Sequence, residues 1–328
     1  MTKEIFNSVI ENIALELKLP LSKLPNYLKG NIEEIRLRVN SPLSVYAEGK
    51  DYFVDKNGLT VGNPKDALIV NMEQLNKTFQ LICSYSVYAL KEEIRNGFIT
   101  IKGGHRIGIG GKIIYGNEGI EGIKNISSLN FRIAREKPGI SDQIMKFLFR
   151  DQKFCNTLII SPPQCGKTTL LRDMIRNLSN GMNKPFIKGY KIGLVDERSE
   201  IAGIYNGIPQ KEIGIRTDVL DSCLKSHGII MLIRSMSPNI IAVDEIGGDE
   251  DIKAIEDALR AGIKLIATVH GYSIDDIKER KSLKDLFSEN VFERYIILDS
   301  SRGVGTIREI IDANNLKNLL REEEIIWF

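Results

Sequence analysis

The stretch SPPQCGKTTLLRD, residues 161–173, constrains this chain more than any other. It follows a short apolar segment, NTLIIS (156–161), and runs into a segment whose apolar residues Leu170, Leu171, Met174, Ile175 and Leu178 fall at helical spacing. A strand, a tight turn and a helix in that order are the context a phosphate-binding loop requires; the tripeptide Gly-Lys-Thr alone arises by composition and decides nothing. Here the backbone N–H groups of Gln164, Cys165, Gly166 and Lys167 are expected to line a concavity at a helix N-terminus, where unsatisfied donors and the helix dipole favour anions. Pro163, Gln164, Cys165, Gly166, Lys167, Thr168 and Thr169 are therefore the expected binders of ATP. Gly166 carries no side chain to clash with a phosphate oxygen, Lys167 would neutralise β- and γ-phosphate charge, and the Thr168 hydroxyl would ligate Mg2+. Ser161 stands where such loops usually open with glycine. Serine there is costly unless the chain enters the loop with ordinary backbone angles, and Pro162 and Pro163 stiffen the approach. A second glycine-rich stretch, GGHRIGIGGK (103–112), places Arg106 at the first-glycine position and Ile113 where Ser or Thr is needed. It reads as a glycine-loosened β-hairpin.

From residue 141 apolar strands alternate with amphipathic helices. SDQIMKFLFRD (141–151) is expected to be a helix capped by Ser141, with Ile144, Phe147 and Leu148 on one face. KIGLVD (191–196), NIIAVDE (239–245) and IKLIATVHG (263–271) are expected strands. DSCLKSHGIIMLIRSM (221–236) and EDIKAIEDALRAG (250–262) are expected helices, the second closed by Gly262. YIILDSSRGVGTIREIID (295–312) reads as a hairpin turned by Gly303 and Gly305. This alternation implies a mainly parallel sheet covered on both faces, with the loops that follow the strands gathered on one ligand-binding edge.

Three acidic or basic sets lie on that edge. Asp244 and Glu245 end an apolar strand in a Walker B pattern: Asp244 would hold the Mg2+ shell and Glu245 would orient or deprotonate the attacking water. Asp196, Glu197 and Glu200 follow another strand with Arg198 between them; they are either a second acidic set of the site or a loop whose charges pair with one another. Thr268 and His270 end a further strand, within reach of a γ-phosphate or lytic water. Arg234, just ahead of the Walker B strand, is either a surface charge or a group that reaches a neighbouring subunit's nucleotide. A strand between the phosphate loop and a Walker B glutamate is the order of the ASCE branch, which includes RecA-like and AAA+ motors.

Residues 1–138 have a different texture. EEIRLRV (33–39) alternates, with Ile35, Leu37 and Val39 on one face and Arg36 and Arg38 on the other, and LSVYAEG, FITIKGG and NISSLNFRIAR read similarly. NMEQLNKTFQLICSYSVYALKEEIRNG, from Asn71, is expected to be helical with a break before Ser84. The expected fold class is thus α/β: a RecA-like P-loop NTPase domain over 139–328, preceded by a smaller α+β domain over 1–138. The N-terminal segment carries charges throughout its apolar periodicity and reads as an amphipathic helix, not a signal peptide. No apolar run approaches the ~20 residues that span a bilayer, so no transmembrane segment is expected and the location is cytoplasmic. Cys83, Cys155, Cys165 and Cys223 are too scattered for a zinc site or a redox pair and read as reduced thiols. The net charge of +2 demands neither nucleic acid nor anionic lipid, and the run REEE (321–324) reads as the solvated face of a terminal helix.

CGKTTLLRD, GLVDERSEIAG, IRSMSPNIIAVDEIG and ATVHG in this order, with EEIRLR, GGHRIGIGGK and SSLNFRIARE before them, resemble the stage III sporulation protein AA family of endospore-forming bacteria. The resemblance covers nearly the whole chain. It implies an ATPase related to those of type II and type IV secretion systems, a homo-oligomer forming a hexameric ring. It assigns Walker A to Gly166, Lys167 and Thr168, Walker B to Asp244 and Glu245, an acidic box to Asp196 and Glu197, and a histidine box to His270. It also implies arginines that reach nucleotide from the N-terminal domain or a neighbour, for which Arg132, Arg135 and Arg234 are the candidates. It further implies a cytoplasmic protein peripherally associated with a membrane complex in the mother cell. There it energises a channel spanning the membranes around the forespore, and the membrane proteins of that sporulation channel complex are its partners. Ser161 departs from the related loops and bears on nucleotide affinity more than on fold.

Two other classes compete. A nucleic-acid-associated AAA or RecA-like ATPase would need a basic strip or an aromatic stacking platform; neither is found, and no direct nucleic-acid contact is expected. A nucleotide-gated scaffold with little turnover would have little use for Glu245 beside the lytic water.

Overall fold

The alternation in EEIRLR has one physical solution, a strand with one face dry and one wet, and Ile32–Arg38 is that strand, with Ile32, Ile35 and Leu37 buried. The computed structural model describes residues 2–84, 90–116, 119–320 and 326. The charged run at 321–324 and the 85–89 part of the expected helical stretch lie outside the described residues. The chain divides into two units, Met1–Arg135 with Gly203–Gln210, and Glu136–Ala202 with Lys211–Phe328.

In the first unit Ile32–Arg38 is central to a seven-stranded antiparallel sheet, flanked by Ser44–Ala47 and Gly119–Arg132. The second glycine-rich stretch, expected as a hairpin, instead enters one strand, His105–Gly116, paired antiparallel with Phe98–Ile101 and with Gly119–Arg132. Phe6, Leu17, Leu21, Ile35, Leu37, Val45, Ile107 and Phe131 belong to one buried cluster. The amphipathic N-terminal segment is two helices, Thr2–Ile10 and Leu15–Lys23. Asn12 Nδ2 donates to the carbonyls of Ser8 and Val9, closing the first helix, and the Ala14 N–H is taken by the buried Thr78 hydroxyl. The stretch from Asn71 opens with a reciprocal capping box, Asn71 with Gln74, and its first helix ends at Ile82.

The second unit is built on an eight-stranded sheet. Its strands are β1 (Thr157–Ser161), β2 (Ile192–Asp196), β3 (Thr217–Asp221), β4 (Ile240–Val243), β5 (Lys264–His270), β6 (Arg294–Asp299), β7 (Thr306–Asp312) and β8 (Lys317–Asn318). The spatial order is β3-β2-β4-β5-β1-β6-β7-β8, parallel from β3 to β6 and antiparallel beyond. β1, β2 and β4 are buried at every residue, as a sheet covered on both faces requires. The main helices are α1 (Lys167–Asn180), α2 (Lys225–Ser235) and α3 (Asp249–Arg260). Gly262 follows α3 at φ 76, the left-handed angle that lets its N–H reach the Leu259 carbonyl.

Two expectations in the second unit are corrected. Residues 141–151 are not a helix: only Met145–Leu148 forms a single 3-10 turn, and Phe149–Arg150 is a short strand. The cause is long-range, since the Ser141 hydroxyl and the N–H groups of Gly139 and Ser141 all donate to the buried carboxylate of Asp173 on α1. The segment at 221–236 begins its helix only at Lys225, because Thr217–Asp221 adds an edge strand beside β2.

Candidate active site

Register carries the site. Ser161 at the end of β1 lies opposite His270 at the end of β5, and Val243 at the end of β4 lies opposite Ala267. The residues that follow these strands therefore converge on one edge. β5 stands between the strand of the phosphate loop and the strand of the paired acids.

Ser161 is extended and fully buried, the last residue of β1. Its hydroxyl donates to the Pro162 carbonyl and its own carbonyl accepts from Gly271. The curvature that glycine supplies in related loops is placed further on, at Gln164 (φ 61) and Gly166 (φ 85). Serine is thus accommodated without strain, and the left-handed angle falls on an exposed glutamine and on the glycine that precedes α1. Pro163 is exposed, Cys165 turns inward and is buried, and Thr169 lies in the first turn of α1. Because α1 starts at Lys167, the N–H groups of its first turn lack intrahelical partners and point to the loop.

Lys167 is buried, and its Nζ is 2.7 Å from Glu245 Oε1, 3.3 Å from His270 Nε2 and 3.9 Å from Asp244 Oδ1. His270 Nε2 is 2.8 Å from the same Glu245 oxygen, while its buried Nδ1 has no hydrogen-bond partner among the described residues. The other oxygen, Glu245 Oε2, takes Arg198 Nη1 at 2.8 Å. Burial would raise the Glu245 carboxyl, but Lys167, Arg198 and His270 outweigh it and hold the group below its usual range, ionised. Glu245 sits at φ 54, a sparsely populated angle for a residue with a Cβ. Thr268 fixes it there: its hydroxyl accepts from the Glu245 N–H at 2.9 Å and donates to Asp244 Oδ1, and its carbonyl accepts from Ile246. Thr268 is fully buried and so fixes the Asp244 carboxylate and the Glu245 backbone together.

The Thr168 hydroxyl donates to Asp244 Oδ2 at 3.0 Å. A hydroxyl beside a carboxylate suits a hard cation such as Mg2+. No cluster of three or more acidic, His or Cys side chains that could hold a metal occurs among the described residues, so phosphate oxygens would have to complete the shell. Thr168 and Asp244 are the residues that would hold the ion.

The acidic loop after β2 divides its tasks. Asp196 is buried, and its carboxylate accepts the N–H groups of Glu200, Ile201 and Ala202. Burial pushes it up to about 6 despite those donors. Arg172 on α1, also buried, donates to the carbonyls of Glu200 and Ile201. The loop is held by its N–H groups on one side and its carbonyls on the other. Glu197 pairs with Lys225, and both line one cavity with Arg198, Asp244 and Glu245. Arg234 is exposed in the last turn of α2, the helix that returns the chain to the start of β4. Asn239, between them, accepts from Lys191 at the start of β2, which places Arg234 at the sheet edge opposite the carboxylates. In the first unit, Arg132 is exposed 4.0 Å from Glu34, and half-buried Arg135 donates to the Ile32 carbonyl. Arg172 was signalled in the sequence only as a charged residue inside an apolar helical pattern, and Arg198 only as a base among acids.

The structure thus brings Lys167, Thr168, Asp244, Glu245, Thr268 and His270 together, adds Arg198, places Glu197 in the cavity that Arg198, Asp244 and Glu245 also line, and leaves Arg234 elsewhere. The sequence profile of the family described as sporulation stage III, protein AA matches residues 7–317. Stage III sporulation protein AA of Bacillus subtilis (strain 168) is 43% identical over 308 residues, covering 94% of this chain and 95% of that protein. Among solved structures, the Legionella pneumophila ATPase DotB matches with a TM-score of 0.54 at 17% identity, over 87% of this chain and 78% of that one. The Yersinia pseudotuberculosis ATPase DotB matches with a TM-score of 0.51 at 14% identity, over 81% and 70%. At those identities the likeness is one of fold.

Proposed function

The chain belongs to the sporulation stage III protein AA family, and from that premise we propose that it is an ATP-hydrolysing, ring-forming motor that energises a membrane-spanning channel complex during sporulation. The observation that carries the reading is the meeting of Lys167 Nζ with Glu245 Oε1 at 2.7 Å above the Thr168–Asp244 pair. A phosphate-loop lysine, a cation-holding hydroxyl and carboxylate, and a second carboxylate held ionised are the parts that triphosphate hydrolysis uses.

In this reading the first-turn N–H groups of α1 and Lys167 bind the β- and γ-phosphates of ATP. Thr168 and Asp244 would hold Mg2+, which would neutralise charge at those phosphates. Glu245 takes a proton from water as its oxygen bonds to the γ-phosphorus; the bond from that phosphorus to the β–γ bridging oxygen breaks, leaving ADP and phosphate. His270 Nε2, 2.8 Å from Glu245 Oε1, would as the Nε2–H tautomer donate to that oxygen and keep it turned toward the reacting centre. Arg234, exposed and away from the carboxylates of its own chain, would meet nucleotide in another copy of a homo-oligomer. No helix among the described residues is long and apolar enough to cross a membrane, so the membrane proteins of the complex would be docking partners. Turnover of purified protein against its concentration, with sizing in nucleotide, tests the reading. Specific activity is expected to rise as the oligomer forms, and no Mg2+-dependent ATP turnover at any concentration refutes it.

A further inference from the structure

The candidate arginines read from the sequence leave the terminal phosphate without a guanidinium from its own ATPase unit, but the structure supplies one. Resting on the ATPase reading above, we propose that Arg198 is a cis-acting arginine of this site, paired with Glu245 here and passing to the terminal phosphate of bound ATP. Arg198 Nη1 and Lys167 Nζ hold opposite oxygens of one carboxylate, at 2.8 and 2.7 Å. A tetrahedral phosphoryl group drawn in by Lys167 would therefore arrive on the side of the carboxylate that Arg198 also faces.

The backbone around Arg198 is fixed, and its side chain lies largely in solvent. Asp196 and Arg172 clamp residues 200–202 from both sides, and Ser199, at φ 52, is tied through its hydroxyl to Asp221. The Arg198 side chain is 61% exposed, against 23% for Glu245. An ion pair that open to solvent is weak, so exchanging the carboxylate for a more highly charged phosphoryl group is favoured. The Glu245 backbone stays tied to Thr268. The neighbouring Glu197 is already neutralised by Lys225 and does not compete for the guanidinium. The exchange frees Oε2 of Glu245 and places a planar donor pair against the oxygens whose charge grows as the phosphorus–oxygen bond breaks.

The test uses the full chain with Arg198→Ala and Arg198→Lys. It measures Mg2+-ATP turnover, and ATP and ADP affinities in a Glu245→Gln background. Arg198→Ala is expected to lower kcat by about 100-fold or more, to leave ADP affinity within about twofold, and to abolish any preference for ATP over ADP. Arg198→Lys should retain part of the activity, and guanidinium ion should restore part of it to Arg198→Ala. Turnover of Arg198→Ala within about threefold of wild type, or above it, overturns the proposal, as does an equal loss of ATP and ADP affinity, which marks a structural role. Should the wild-type chain neither bind nor hydrolyse ATP, the ATPase reading falls and Arg198 with it; should wild type turn over normally beside an unimpaired Arg198→Ala, only the assignment of Arg198 falls.

Discussion

Replacing Glu245 with Gln should tighten ATP binding while stopping turnover, and the structure sets the size of the effect. Lys167 is buried against Glu245 at 2.7 Å and must leave that oxygen to reach phosphate. A hydrogen bond between charged partners is worth about 1.5–3 kcal/mol net, whereas a glutamine oxygen would keep a neutral-acceptor bond of about 0.5–1.5 kcal/mol. The difference, about 1–2 kcal/mol, no longer opposes binding, so the Kd for Mg2+-ATP should fall by about 5- to 30-fold. ADP should gain comparably, because Lys167 also serves the β-phosphate. Turnover should drop to background, with ATP recovered intact from the protein. Titration of a fluorescent ATP analogue against both proteins, followed by chromatography of the bound nucleotide, reads both quantities. An unchanged or weaker affinity would refute the argument that Lys167 is restrained by Glu245, and undiminished turnover would remove Glu245 as the base.

Three further outcomes follow from the same geometry. Thr268→Val keeps the volume but strips the hydroxyl that joins Asp244 to the Glu245 N–H; it should cost about 1–3 kcal/mol in chemical denaturation and lower kcat more than it raises KM. Ser161→Gly should leave ATP affinity within about twofold by calorimetry, since Ser161 is extended and uses no angle reserved for glycine. Asp196 is raised from 3.8 to about 6 by burial, so the folded chain binds its proton more tightly than the unfolded chain. Its contribution to stability is full below the unfolded value and is lost as pH rises through about 6, by up to about 3 kcal/mol. Unfolding free energies measured from about pH 4 to about pH 7 should show that loss in wild type and not in Asp196→Asn, and identical pH dependence in the two would contradict it.

What could be read from the sequence was what is local. The β1–loop–α1 unit and the Asp244–Glu245 strand end are continuous stretches whose apolar pattern and polar termini state their own geometry. What escaped depends on distant partners. Ser141 has the form of a helix cap, yet its hydroxyl belongs to Asp173 across the unit. TDVLD carries no sustained apolar run because β3 is a half-exposed edge strand, so the sequence announces no strand there and only its last residue, Asp221, falls in the expected helix. The break in the N-terminal helix depends on Thr78, 64 residues from Ala14. Arg198 is surrounded in sequence by Glu197 and Glu200, which suggested local pairing. Its partner Glu245 is brought to it by parallel strand order, which no local pattern encodes.

The central claim is that a magnesium–triphosphate binds between Lys167 and Glu245. A crystal structure of the full chain with Mg2+ and a non-hydrolysable ATP analogue tests it most directly. The account predicts the terminal phosphate within hydrogen-bonding distance of Lys167 Nζ, the metal on the Thr168 hydroxyl beside Asp244, and Glu245 released from Lys167 to face the γ-phosphorus. Nucleotide bound elsewhere, or bound at the loop with the Lys167–Glu245 pair still closed, would contradict it.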